Sequence, residues 1–269
     1  MDQLLFTKMH GIGNDYIYLN CMEWAPKDPS ALAQRLSDRH LSIGGNGLVL
    51  ILPSSTADFR MRMFNSDGSE GAMCGNAIRC IGKYVYEKGL TDKKELDIET
   101  ASGIKHLKLH VDGGSVVLIS VDMGAPIIAE EPLTVRAGKR EYTGLNISMG
   151  NPHYVIFCED VPHMPVTTDG PFIEHMSHFP DRTNVEFAEV MGESIRMRVW
   201  ERGSGETRAC GTGACAVAVA AITQGYFAKG KEIAVHLPGG RLDIVYDGNT
   251  VWMTGPAEFV FDGTIPFTE

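Results

Sequence analysis

Alternation of apolar and polar side chains dominates the chain. Runs with a period of two cover residues 59–64, 104–111, 116–121, 153–157, 195–200, 233–237 and 242–246, the pattern of strands with one face against a core. Asp112-Gly113 and Asp247-Gly248 predict hairpin turns. Two segments break the alternation. Residues 75–88 and 211–224 predict helices, each stopped by a glycine, Gly89 and Gly225. The second reads GTGACAVAVAAITQ, apolar on nearly every side, as a helix enclosed by sheet must be. Two surface helices are expected over 29–40 and 169–178.

The pattern is written twice. FRMRMFNSDGSE at 59–70 aligns with IRMRVWERGSGE at 195–206, and the same offset of 136 residues brings Cys74-Gly75 onto Cys210-Gly211 and Gly89 onto Gly225. At 137, Gly13-Asn14 meets Gly150-Asn151, Leu48 meets Val185 and Glu95 meets Glu232. A colinear series of this length reads as a duplicated domain. The expected fold is α+β: two pseudo-symmetric domains, each an antiparallel, barrel-like sheet wrapped around a central α-helix. Residues 1–120, joined by 257–269, form one domain and 121–256 the other. Function at a cleft between two such copies uses both.

Composition narrows the partners. The 269 residues carry 24 Lys+Arg against 34 Asp+Glu, a net charge of -10 with no basic run, which argues against nucleic acid and anionic lipid. The longest apolar run, 214–222, falls well short of the roughly 20 residues of a bilayer span. No export signal is legible in MDQLLFTKMHG, so a cytoplasmic location is expected, with the cysteines at 21, 74, 80, 158, 210 and 215 as thiols. None has CxxC spacing, and the histidines form no HxxxH or HExxH set; neither metal nor cofactor is expected. The sequon Asn146-Ile147-Ser148 reads as chance.

Cys74 and Cys210 each precede a predicted central helix and follow a Gly/Ser-rich loop, NSDGSEGAM or ERGSGETRA. A helix N-terminus offers open N–H groups and partial positive charge, which lowers a thiol's pKa and holds a carboxylate. If the copies face each other, a thiolate on one side removes a proton from a carbon acid and a thiol on the other returns one: a two-base racemase. Cys80 and Cys215 lie inside the helices and read as core, as do Cys21 and Cys158. A phosphate loop lacks its lysine. The glycine spacings in GIGND and GSGETRACGTG loosely suit a dinucleotide fingerprint, but no parallel βαβ unit is legible around them.

The blocks FTKMHGIGNDYIYLN, MFNSDGSEGAMCGNAIRC, MGNPHYVIF, RTNVEFAEV and VWERGSGETRACGTGACAVAVAA resemble diaminopimelate epimerase, over essentially the whole chain. The resemblance implies paired pseudo-symmetric barrels and interconversion of LL- and meso-diaminopimelate, an amino-acid substrate of lysine and peptidoglycan precursor synthesis, without metal or pyridoxal phosphate, in a homodimer. It makes Cys74 and Cys210 the acid/base pair, Cys74 donating and Cys210 accepting in one direction. Asn14, Asn65, Asn151, Asn184, Glu201 and Arg202 become substrate contacts. Gly75-Asn76 and Gly211-Thr212 become the carboxylate cradle, and His153 and Glu201 tune the thiols. Asparagines suit both ammonium and carboxylate without net charge, and Arg202 offers a bidentate fork.

One stretch departs from the family pattern. SIGGNGL places Asn46 where many members have Asp, and Gly47 where some have a substrate-contacting Gln. By the repeat, Gly47 matches Asn184, so one copy lacks a polar side chain there. Two other readings compete with the epimerase. A racemase of another amino acid, such as histidine, would share the thiols, but Asn65, Asn184 and Arg202 suit a distal amino-carboxylate. A non-catalytic module binding a small anion needs neither thiol.

Overall fold

The structure, a computed structural model, describes residues 2–267. The chain divides into two compact units, Met1–Val121 with Gly255–Glu269, and Asp122–Thr254. The first run of elements is β1 (Asp2–Gly11), β2 (Asn14–Asn20), α1 (Pro29–Ser37), β3 (Gly47–Leu52), β4 (Phe59–Asn65), β5 (Glu70–Gly71), α2 (Gly75–Glu87), β6 (Glu95–Thr100), β7 (Gly103–Asp112) and β8 (Ser115–Gly124). There follow β9 (Ile127–Ile128), β10 (Leu133–Ala137), β11 (Arg140–Ser148), β12 (Pro152–Phe157), α3 (Val166–Glu174), β13 (Asn184–Met191), β14 (Ser194–Glu201), β15 (Gly205–Thr207), α4 (Gly211–Thr223), β16 (Glu232–Leu237), β17 (Gly240–Tyr246) and β18 (Val251–Gly255). Last, β19 (Glu258–Phe267) returns to pair antiparallel with β1.

The sheet is mixed, which corrects the antiparallel expectation. β2 and β3 run parallel, as do β4 and β6, β12 and β13, and β14 and β16. Each parallel pair needs a crossover, and helices supply it: α1, α2, α3 and α4 in turn. Crossover units are therefore present where none was legible. GIGND still does not open a helix: it turns the β1–β2 hairpin, where Gly11 pairs with Asn14.

Ladder registers recur between the units. Ile17 pairs with Leu48 and Tyr154 with Val185; Phe64 pairs with Leu48 and Trp200 with Val185. Phe59 pairs with Ile98 and Ile195 with Val235; Leu96 pairs with Leu107 and Ile233 with Ile244.

Both crossover helices that follow the Gly/Ser loops are core. In α2, Ala77, Ile78, Cys80, Ile81 and Val85 are fully buried, and in α4 every residue from Ala214 to Ala221 is. Gly82 admits the sheet: a Cβ there would stand 2.9 Å from Leu109 Cδ2. Gly89 and Gly225, at φ 71° and 82°, end these helices in the left-handed conformation that glycine adopts without penalty. On the outside, Leu32, Ala33 and Leu36 of α1 pack with Leu48, Leu50 and Phe64. Val166 and Ile173 of α3 pack with Tyr154, Val185 and Phe187.

The outer helices differ from expectation at their ends. α1 stops at Ser37 because Asp38 is extended, at ψ 120°. α3 starts three residues before Asp169: Val166 is fully buried, and Asp169 N donates to Pro165 O at 2.9 Å, closing the first turn. Pro171 lies inside that helix rather than at its start.

A larger side chain inside α4 has nowhere to go. Ala218→Leu should destabilise the protein by about 1–3 kcal/mol, read from urea unfolding; an unchanged midpoint would contradict burial on every side.

Candidate active site

In the first unit, the β1–β2 turn presents Asn14. Ile12 and Gly13 occupy it at φ 48° and 87°. A β-branched residue in that region is strained by about 1–3 kcal/mol, so surrounding contacts must impose the turn; Ile12 is buried. Asn14 Oδ1 is buried and has no hydrogen-bond partner, an acceptor left open beside the turn. Cys74 is the N-cap of α2, extended at φ -136° and ψ 119° and partly buried. Its carbonyl accepts from Ile78 N at 2.9 Å, so the helix begins at Gly75. Asn76 is engaged from behind: its Oδ1 accepts from Arg79 Nη2 at 2.9 Å, and Gly75 O accepts from Arg79 Nη1 at 3.1 Å. Arg79 is fully buried and also donates to Pro256 O. The Asn76 amide oxygen is therefore taken up inside the protein.

Asn65 ends β4, with its Nδ2 donating to Ser69 Oγ at 3.0 Å. Opposite it in the ladder is Gly47. A Cβ at Gly47 would stand 2.0 Å from Phe64 O and 3.0 Å from the Tyr16 ring. Gly47 is thus a close approach of backbone to backbone, not a gap left by a missing glutamine. Asn46 is held by Arg39, whose Nη2 donates to its Oδ1 at 2.9 Å.

In the second unit Cys210 is the N-cap of α4, and its Sγ accepts from Gly213 N at 3.3 Å. Thr212 Oγ1 lies 3.6 Å from that sulfur. Asn151, after Gly150, donates through Nδ2 to Thr212 Oγ1 at 3.3 Å, and its Oδ1 meets His153 Nε2 at 3.2 Å. Asn151, His153, Cys210 and Thr212 are thus brought together. Glu201, at the end of β14, accepts from Thr207 Oγ1. Asn184 is committed within the protein: Nδ2 donates to Pro152 O at 2.8 Å and Oδ1 accepts from Arg202 N at 2.9 Å. The Arg202 guanidinium donates to Asp181 O.

Electrostatics at Cys210 reverse the expected direction. Burial, then the charges of Glu201 and Glu186, push its thiol well above the ordinary range, outweighing hydrogen bonds from Thr212 and Gly213. Burial likewise raises the Glu201 carboxyl, against hydrogen bonds from Thr207 and Cys210. The other thiols behave as core: burial lifts Cys21 and Cys80 to about 12 and Cys158 to about 11. No disulfide joins any of the six cysteines. Among the described residues no group of three His, Cys, Asp or Glu stands together as a metal would require, and no helix is long and apolar enough to cross a membrane.

Three polar residues escaped the sequence reading. Glu186, fully buried on β13, accepts from His153 Nδ1 at 2.6 Å. Glu174 of α3 holds the turn after β14, its Oε1 accepting from Gly203 N at 3.0 Å and its Oε2 from Trp200 Nε1 at 2.7 Å. Thr207 was passed over as loop. The only legible signal was an acidic residue inside the apolar strand NVEFAEV.

A family model described as diaminopimelate epimerase matches residues 6–129 and 145–260. A diaminopimelate epimerase of Methanococcus maripaludis strain C5 is 50% identical over 97% of this chain and 99% of its own. One from Acetivibrio thermocellus is 50% identical, covering 98% and 99%, and one from Parabacteroides distasonis 52%, covering 97% of each. Among solved structures, a Bacillus anthracis phenazine biosynthesis protein of the PhzF family superposes with a TM-score of 0.81 at 18% identity, over 99% of this chain and 100% of that one. A hydroxyproline epimerase from Agrobacterium vitis gives 0.74 at 15%, over 98% and 92%. These two likenesses concern the fold.

The raised Cys210 thiol has a direct readout. Its thiolate, the alkylating form, accumulates only at a pH above that of a free cysteine, about 8.5. Mass-spectrometric quantification of the Cys210 peptide should show slow alkylation at neutral pH that rises in the alkaline range. Glu201→Gln removes a charge that raises the thiol and should move the profile to lower pH. A profile at or below that of free cysteine in the parent protein would contradict the assignment.

Proposed function

The chain belongs to the diaminopimelate epimerase family, and from that premise we propose that it interconverts LL- and meso-2,6-diaminopimelate by inverting one α-carbon, with Cys74 and Cys210 as the acid/base pair. One observation carries this reading: each thiol is the N-cap of a buried crossover helix, so each stands beside first-turn backbone N–H groups that have no carbonyl partner within the helix. Those groups suit a carboxylate, and the carbon next to that carboxylate is the one whose proton must move. One cysteine, as thiolate, takes the α-proton; the other, as thiol, delivers its own to the opposite face. Protons balance, and the two thiols exchange roles in the reverse direction.

The difficulty is the acidity of an α-proton beside a carboxylate. Helix N-termini aimed at the carboxylate stabilise the charge that develops there. The open acceptor on Asn14 suits the substrate's ammonium. The distal amino-carboxylate falls to Asn65, Asn151, Asn184, Glu201 and Arg202. Of these, Asn184 serves through the loop it ties together, since its amide already bonds Pro152 and Arg202. The recurring ladders support a duplicated, pseudo-symmetric fold in which each unit carries one thiol. Membership of the family supports the homodimer that the sequence resemblance implies. Thiols without disulfides suit the cytoplasm.

Purified protein should interconvert the two isomers without added metal or cofactor, and far faster than it racemises lysine or histidine. Cys74→Ala and Cys210→Ala should each lower kcat by about 10²–10⁴-fold, the contribution of a general acid or base. Preferential turnover of histidine would replace the substrate while keeping the mechanism. Full activity in either variant would remove the mechanism.

A further inference from the structure

His153 and Glu186 form a buried pair that the fold does not require. At the matching ladder positions of the first unit, 137 residues earlier, stand Tyr16 and Val49. Val49 is fully buried, and so is Glu186. An aliphatic side chain therefore closes the core at this place, and a carboxylate there carries a desolvation cost that packing does not explain. Its environment is incomplete as well. Oε1 accepts from His153 Nδ1 at 2.6 Å, while Oε2 is buried with no hydrogen-bond partner. A buried, half-satisfied carboxylate calls for a role.

Its neighbour indicates which. Gly213, in the first turn of α4, leaves room for both groups: a Cβ there would stand 2.9 Å from Glu186 Oε1 and 3.1 Å from Cys210 Sγ. Carboxylate and thiol thus flank the same glycine. A second route joins them. His153 Nε2 meets Asn151 Oδ1 at 3.2 Å, Asn151 Nδ2 donates to Thr212 Oγ1 at 3.3 Å, and Thr212 Oγ1 lies 3.6 Å from Cys210 Sγ.

We propose that Glu186 is a positioning residue for Cys210: by taking the Nδ1–H of His153 it fixes the ring and, through the Asn151 amide, the Thr212 hydroxyl that lies against the thiol. Its charge acts on the sulfur as well. The groups facing Cys210 are Glu201 from β14, Glu186 from β13, and Thr212 and Gly213 of its own helix; the two carboxylates both favour the neutral thiol. His153, on β12, lies behind them against Glu186. Glu186 thereby keeps Cys210 protonated until substrate arrives and sets how that proton is aimed. This role rests on the acid/base reading of Cys210 given above.

Two variants test it. Glu186→Val introduces the first unit's aliphatic residue but leaves the His153 Nδ1–H without its acceptor, so its thermal midpoint should fall and its activity is read per folded protein. It should lose the downfield imidazole N–H proton resonance of His153, and kcat should fall at least about tenfold, a part of what general acid–base catalysis supplies, with a smaller change in KM. Glu186→Gln keeps an acceptor for Nδ1–H and should retain the resonance and recover part of kcat. In both, Cys210 alkylation should move to lower pH. The proposal is overturned if kcat stays within about twofold of the parent's in both variants, if the alkylation profile does not move, or if lost activity only tracks lost folded protein. Should Glu186→Val not fold, Glu186→Gln carries the same readouts. Alkylation and the resonance need no turnover, so failure here is distinct from failure of the epimerase reading, which would appear as an inactive parent chain.

Discussion

A buried helix has four N–H groups at its start that no residue of the helix can satisfy. In this protein that constraint occurs at two matched places. α2 and α4 cross over between parallel strands, so their flanks are enclosed by side chains from the sheet, and their N-termini open at the strand ends beyond β5 and β15. Each has a cysteine as N-cap rather than the usual Ser, Thr, Asp or Asn. A thiol satisfies helix N–H groups less well than those oxygens: Cys210 Sγ takes one, from Gly213 at 3.3 Å, and Cys74 makes no side-chain cap bond. The left-handed glycines before Asn14 and Asn151 and the apolar character of α4 accompany these enclosed helix starts in both sequence and structure.

Enclosure also decides how the thiol ionises. A helix N-terminus stabilises an anion by roughly 0.3–1 kcal/mol, less than the ~1.4 kcal/mol of a tenfold change in ionisation. Burial alone lifts Cys21 to about 12, which is a larger effect. At Cys210 two carboxylates add to burial, so the helix start loses that competition in the protein without substrate. In the proposed mechanism the helix N–H groups act instead on the substrate's carboxylate, whose negative charge they would meet directly. The equivalent positions of Glu186 and His153 in the first unit are Val49 and Tyr16. The duplicated frame therefore carries different electrostatics at its two thiols.

Much of this was legible in the chain. Glycine C-caps marked the ends of α2 and α4 within a residue, and the 136-residue offset identified Cys74 and Cys210 as counterparts. Local periodicity does not specify which strand pairs with which, so the four parallel pairs were invisible although the helices that bridge them were not. The helix expected from residue 169 begins at Val166, whose burial no local periodicity discloses. Glu186 was hidden by alternation: between Val185 and Phe187 an acidic residue reads as the solvent face, but β13 is buried on both faces here. Whether Asn184 contacts ligand or ties a loop depends on partners 18 and 32 residues away, which no spacing discloses.

The claim that two thiols share one α-carbon is tested most directly by following solvent deuterium into each isomer separately, in the single-cysteine variants and in the double variant. Each remaining thiol should exchange the α-proton of only the isomer it faces, without inverting it, and the double Cys74→Ala, Cys210→Ala protein should exchange neither. Exchange of both isomers by one thiol, or epimerisation surviving in the double variant, would contradict the account.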